Sequence, residues 1–138
     1  MKYKKSGNVY IVKIDKGESV IEKLMEFAEN EEIVSGKISG IGAIFDPVLS
    51  YFDVSKKEYR TKEFHGEYEM ASCLGNIALK DGEVFVHLHV VLSDGDFKTI
   101  GGHLNSAKIS GAGEFFIIPT IEINRKYDDN VGLFIWDL

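Results

Sequence analysis

The chain reads as a succession of short alternating runs rather than as helical stripes. Residues 8–14 alternate loosely and predict a first strand. Ser19-Val20-Ile21-Glu22 is a capping box, in which serine and glutamate side chains each satisfy a free amide at a helix start. Behind it Val20, Leu24, Phe27 and Ala28, joined by Ile21 and Met25, form one apolar stripe at helical spacing. That helix, ending near Asn30, is the one long helix the pattern predicts. Everything after it reads as strand: 33–39, 44–54, 58–65, 68–80, 84–92, 104–109, 115–123 and 131–136. Lys80-Asp81-Gly82 and Ser93-Asp94-Gly95-Asp96 are turn signals, because Asp-Gly tolerates the positive φ of a hairpin turn. Residues 124–130 read as a polar loop. This order predicts an α+β fold, with a mostly antiparallel sheet curled towards a barrel and one main helix near the N-terminus.

Composition narrows the class. A length of 138 residues predicts a single domain over 1–138, and 44% hydrophobic with 28% charged residues is globular composition. No apolar run approaches the roughly 18 residues of a spanning helix. The basic start, Met1 to Gly7, is not followed by the apolar core of a signal peptide. One cysteine, Cys73, cannot form an intramolecular disulfide and points to a reducing cytoplasm. Sixteen Lys+Arg against 22 Asp+Glu give −6, which argues against a sequence-independent grip on nucleic acid.

The chemistry concentrates in Glu83-Val84-Phe85-Val86-His87-Leu88-His89-Val90-Val91-Leu92. Period-two alternation sends Val84, Val86, Leu88, Val90 and Leu92 to one face and Phe85, His87, His89 and Val91 to the other. The two imidazoles project the same way, about 7 Å apart along the strand. Gly101-Gly102-His103 follows, and the turn at 93–97 brings the next strand back alongside, so His103 reaches the same point. The glycines leave room for a close approach of backbone. Three neutral imidazoles with an open fourth position make a catalytic-type zinc site, although imidazole also suits iron, nickel and copper. His65 lies by a turn and reads as an exposed loop residue.

Gly40-Ile41-Gly42-Ala43, Leu74-Gly75-Asn76, His87-Leu88-His89, Gly101-Gly102-His103-Leu104 and Glu114 occur in one order. That order resembles the PPC domain, the "plants and prokaryotes conserved" domain also found in plant AT-hook nuclear proteins, over roughly residues 7–136. The resemblance implies a compact α+β fold, a homotrimer and a metal held by His87, His89 and His103. It also implies a stand-alone cytoplasmic protein of unestablished activity, and for Glu114 a supporting or acid/base role near the metal. The plant relatives bring a DNA-binding expectation with them. This chain lacks the Arg-Gly-Arg core that an AT-hook inserts into the minor groove.

Other segments read as structure. Gly36 to Ala43 lacks the Lys-Ser/Thr of a phosphate loop and the third glycine and helix of a dinucleotide fold, so Gly40 and Gly42 read as a turn between strands whose amides face a pocket. Glu63, Glu67 and Glu69 read as a solvated rim, and Glu114, from the residues alone, as a solvated strand end. Cys73 reads as a buried thiol and Ser72 as structural, since no nucleophile elbow surrounds it. The apolar 131–136 and 115–118 need cover from the sheet or from a subunit interface. The reading is a trimeric protein binding one divalent transition metal, zinc first, beside a small-molecule pocket. If it is an enzyme, the reaction class is metal-assisted hydrolysis; the alternative is a DNA-associated regulator.

Overall fold

Nine strands and one helix run through residues 1–138 of the computed structural model, the central strands alternating between buried and exposed positions. In chain order they are β1 (Lys2–Ser6), β2 (Val9–Ile14), α1 (Val20–Asn30), β3 (Gly36–Asp53), β4 (Glu58–Glu63), β5 (Glu67–Lys80), β6 (Glu83–Ser93), β7 (Thr99–Pro119), β8 (Asn124–Asp128) and β9 (Leu133–Asp137). The α+β expectation is overturned. With 67% of residues in strands and 8% in the single helix, the fold is mainly β.

Two causes shift the class. First, the expected breaks are absent: the chain runs through Gly40 and Gly42 as one 18-residue strand, and through Gly111 and Gly113 as one of 21 residues. The glycines 40 and 42 are therefore not a turn between strands. They mark a register shift inside β3, where a Cβ on Gly42 would stand 2.3 Å from the Ala112 carbonyl oxygen. Second, polar segments add strands. β1 is wholly exposed and β8 mostly so, and neither offers the apolar alternation by which a strand is recognised.

The pairing closes on itself. β3 pairs with β5 and β7, and β6 pairs with the same two, all antiparallel, so the path β3–β5–β6–β7 returns to its start. β1 and β2 extend the sheet beyond β7, and β4 folds back on the end of β3. The β8–β9 hairpin joins β5 through a short parallel pairing that sets Lys80 opposite Arg125.

Inside the curl lies one cluster of 23 buried residues, with Phe27, Phe115, Leu88 and Met70 among its largest members. Burying each such side chain contributes about 1.5–3 kcal/mol. α1 packs on β6 and β7 through Val20, Leu24, Phe27 and Ala28, the expected stripe. Half of the expected capping box forms at its start: the Glu22 amide donates to the Ser19 hydroxyl, while the Glu22 side chain makes no return bond to the Ser19 amide. No helix is long and apolar enough to cross a membrane.

Candidate metal centre and its cavity

β6 alternates as its sequence requires. Val86, Leu88, Val90 and Leu92 are buried in the core, and Phe85, His87 and His89 stand on the opposite face. Register then supplies the third imidazole, because His89 is the direct partner of His103 on β7. The ring centroids lie 5.0 Å apart for His87–His89, 5.0 Å for His87–His103 and 5.6 Å for His89–His103. One ligand atom from each ring comes within 4.8 Å of the others. Bonds of about 2.0–2.1 Å in a tetrahedron need nitrogens roughly 3.3 Å apart, so modest ring rotations close the set.

Two of the rings, His87 and His103, are held neutral, as ligation requires. Burial pushes His87 down to about 4, with Arg125 and the other two imidazoles adding to the effect. His103 is lowered for the same reason, burial first and then His89 and Arg125. The Nδ1 of His103 is buried without a hydrogen-bond partner, an orphaned polar atom of the kind a cation satisfies. This donor set fits a divalent transition ion.

Arg125, which sequence reasoning missed, organises the rear of the site. Its guanidinium donates to the Asn76 side-chain oxygen at 2.8 Å and to the Phe134 carbonyl at 3.0 Å, and lies 3.1 Å from the Nδ1 of His87. A guanidinium only donates, so Nδ1 accepts and the neutral His87 ring carries its hydrogen on Nε2. An ion at His87 must therefore displace that proton or take the place of the guanidinium. Nothing local announces Arg125, since its partners Asn76 and His87 lie 49 and 38 residues away in sequence.

The three imidazoles line a cavity of about 580 Å³, within the usual size of a small-molecule site. One wall carries Phe52 and Tyr59 from the β3–β4 hairpin, with ring centroids 4.9 Å apart. Another carries Tyr127 and Phe134 from β8–β9, at 5.4 Å. Gly102 lines the cavity beside His103, whereas its neighbour Gly101 lies on β7 against the backbone of Val90.

The remaining expected residues lie elsewhere. Gly42 and Glu114 border a separate shallow depression with Ile41 and Glu69, and Gly40 makes room for the Phe115 ring. Glu114 is exposed and does not line the histidine cavity. His65 is exposed beside Asp46, and Glu63, Glu67 and Glu69 are solvent-facing. Cys73 is fully buried, and burial pushes its thiol up to about 12, the state of an inert structural cysteine.

Fold and site together define a mainly-β protein whose curled sheet presents a three-histidine cluster to an aromatic cavity. A family model of the Plants and Prokaryotes Conserved (PCC) domain matches residues 1–121, and the chain belongs to that family. Among solved structures it is similar to a "putative dna binding protein" from Bacteroides thetaiotaomicron, with TM-score 0.94 and 38% identity, covering 99% of this chain and 96% of that one. A plant- and prokaryote-conserved (PPC) protein from Pyrococcus horikoshii gives TM-score 0.88 and 35% identity over 96% of this chain and 92% of that one. A metal-containing protein from Archaeoglobus fulgidus gives 0.89 and 35% over 100% and 99%. A comparison with curated proteins finds no match.

Proposed function

We propose that this PCC-domain protein binds one divalent transition metal, zinc first, through His87, His89 and His103, and uses the adjoining cavity for a small molecule. The convergence of three imidazole ligand atoms within 4.8 Å carries the reading. The description of the Archaeoglobus fulgidus relative as metal-containing supports it. When bound, such an ion supplies Lewis acidity and a water pKa lowered to about 7, so hydrolysis is the reaction class if the site turns over. The protein's own part is to keep His87 and His103 neutral by burial and to wall the site with aromatic side chains. Elemental analysis of protein purified without chelators tests the reading. One equivalent of metal per chain is expected, falling below a tenth in His103→Ala; equal metal in both proteins refutes it.

A homotrimer belongs to the same proposal. Ile11, Phe116 and Leu74 are about half exposed and lie in one register row across β2, β7, β3 and β5, a band of apolar surface that a second copy would cover. Light scattering at micromolar concentration is expected to give three times the chain mass, and a monomer refutes it.

DNA association is the second reading, favoured by the description of the Bacteroides relative. The exposed β1 offers Lys2, Lys4 and Lys5 for it, within a chain of net charge −6. A low-salt gel shift that disappears when these lysines are replaced supports it, and no shift at low salt removes it.

A further inference from the structure

The cavity beside the histidines is cationic inside an acidic protein. Lys80 and Arg125 both line it, and no aspartate or glutamate does. The two cations are direct partners in the parallel pairing of β5 with β8. Like charges in neighbouring register positions repel, and neither has a carboxylate partner within ion-pair distance. Glu83 faces Lys80 in the β5–β6 register but is exposed and forms no ion pair with it.

The two cations are differently engaged. Arg125 spends its terminal nitrogens on Asn76, Phe134 and His87, and its Nε is buried without a partner. The Lys80 ammonium makes no hydrogen bond. It rests 4.2 Å from the ring centroid of Phe134 and 5.5 Å from that of Phe85, while the Arg125 guanidinium lies 5.2 Å from the same Phe85 ring. A half-buried lysine with a second cation beside it and no anion is a charge arrangement completed from outside. The aromatic pairs Phe52–Tyr59 and Tyr127–Phe134, on separate hairpins, offer flat apolar faces at the same cavity.

We propose that the cavity binds a small aromatic carboxylate, its anionic group held at Lys80 in the field of Arg125 and its ring received by the aromatic walls. The inference rests on the proposed small-molecule role of this cavity but not on the metal, because Lys80 is no part of the histidine cluster. It deepens that role by naming the charge and shape of the ligand.

Titration calorimetry with four probes tests it: 2-naphthoate, the neutral 2-naphthylmethanol, the cationic 2-naphthylmethylamine, and acetate. Each is titrated into the full chain, both metal-loaded and chelator-treated. Naphthoate is expected to bind at least tenfold tighter than the alcohol, with the amine and acetate weaker still. Lys80→Met is expected to lose that tenfold preference and Lys80→Arg to retain it. Lys80→Gln serves in place of the methionine variant if that chain does not fold.

Equal affinity for acid and alcohol overturns the inference. So does a preference for the amine, a preference that survives Lys80→Met, or no naphthoate binding at millimolar concentration. Lys80-dependent binding to protein that takes up no metal upholds this inference while refuting the metal reading. A metal-loaded protein without acid preference does the reverse.

Discussion

Gly75 offers a sharp test of how the sheet positions the histidines. It sits on β5 opposite Leu88, flanked by the pairs Asn76–His87 and Leu74–His89. A Cβ placed there would stand 1.9 Å from the His87 carbonyl oxygen and 2.8 Å from the Leu88 side chain. The first contact is about 1.5 Å short of ordinary van der Waals separation and involves backbone, which no rotamer change relieves. Gly75→Ala must therefore push β6 away from β5 beneath the proposed ligands His87 and His89. Overpacking of this kind costs about 1–3 kcal/mol. Displacing a ligand's support should also cost roughly 10–100-fold in metal affinity. Gly95→Ala is the control, because nothing lies within 4 Å of a Cβ there. The assay is urea unfolding of both variants at one protein concentration, which holds any assembly contribution fixed, with metal affinity read by competition against a chromophoric chelator. Gly75→Ala unfolding at the wild-type midpoint, or binding metal as tightly as Gly95→Ala, would refute the reasoning.

Leu88→Ala removes a fully buried side chain between the two β6 histidines and is expected to cost about 2–5 kcal/mol by urea unfolding; a loss under 1 kcal/mol would mean the core repacks freely around β6. Chelator-treated protein is expected to lose stability in acid. The His87 pKa falls to about 4 in the folded state from an ordinary value of 6.5, so the unfolded chain takes up a proton that the native ring refuses. That contribution is present above pH 6.5 and is lost as pH falls through about 4. His87→Gln should flatten the loss, and an unaltered acid limb contradicts it. The Cys73 thiol, raised to about 12 by burial, should resist a disulfide reagent at pH 8 in native protein and react once per chain in urea; rapid native labelling would place it at the surface.

The histidine site was legible because strand chemistry is local. Two imidazoles at i and i+2 must share a face, and a short turn after Ser93 brings His103 into register with His89. The helix was legible for the same reason, its cap and stripe lying within twelve residues. The class was not, because α1 drew more weight than 11 residues merit, while the polar β1 and β8 become strands through pairing alone. Glycines misled in β3, where a missing side chain serves close strand approach rather than chain reversal. Lys80 and Arg125 stayed hidden in a turn signal and a polar loop. Their meaning arises only where β8 joins β5, a pairing across 45 residues that no periodicity encodes.

Crystals grown from protein purified without chelators and supplied with zinc, measured by anomalous scattering on both sides of the zinc edge, test the central claim most directly. One anomalous peak per chain is predicted, bonded to a nitrogen each of His87, His89 and His103 at about 2.0–2.1 Å. No peak among these rings, or a peak held elsewhere with the three imidazoles free, would contradict the account.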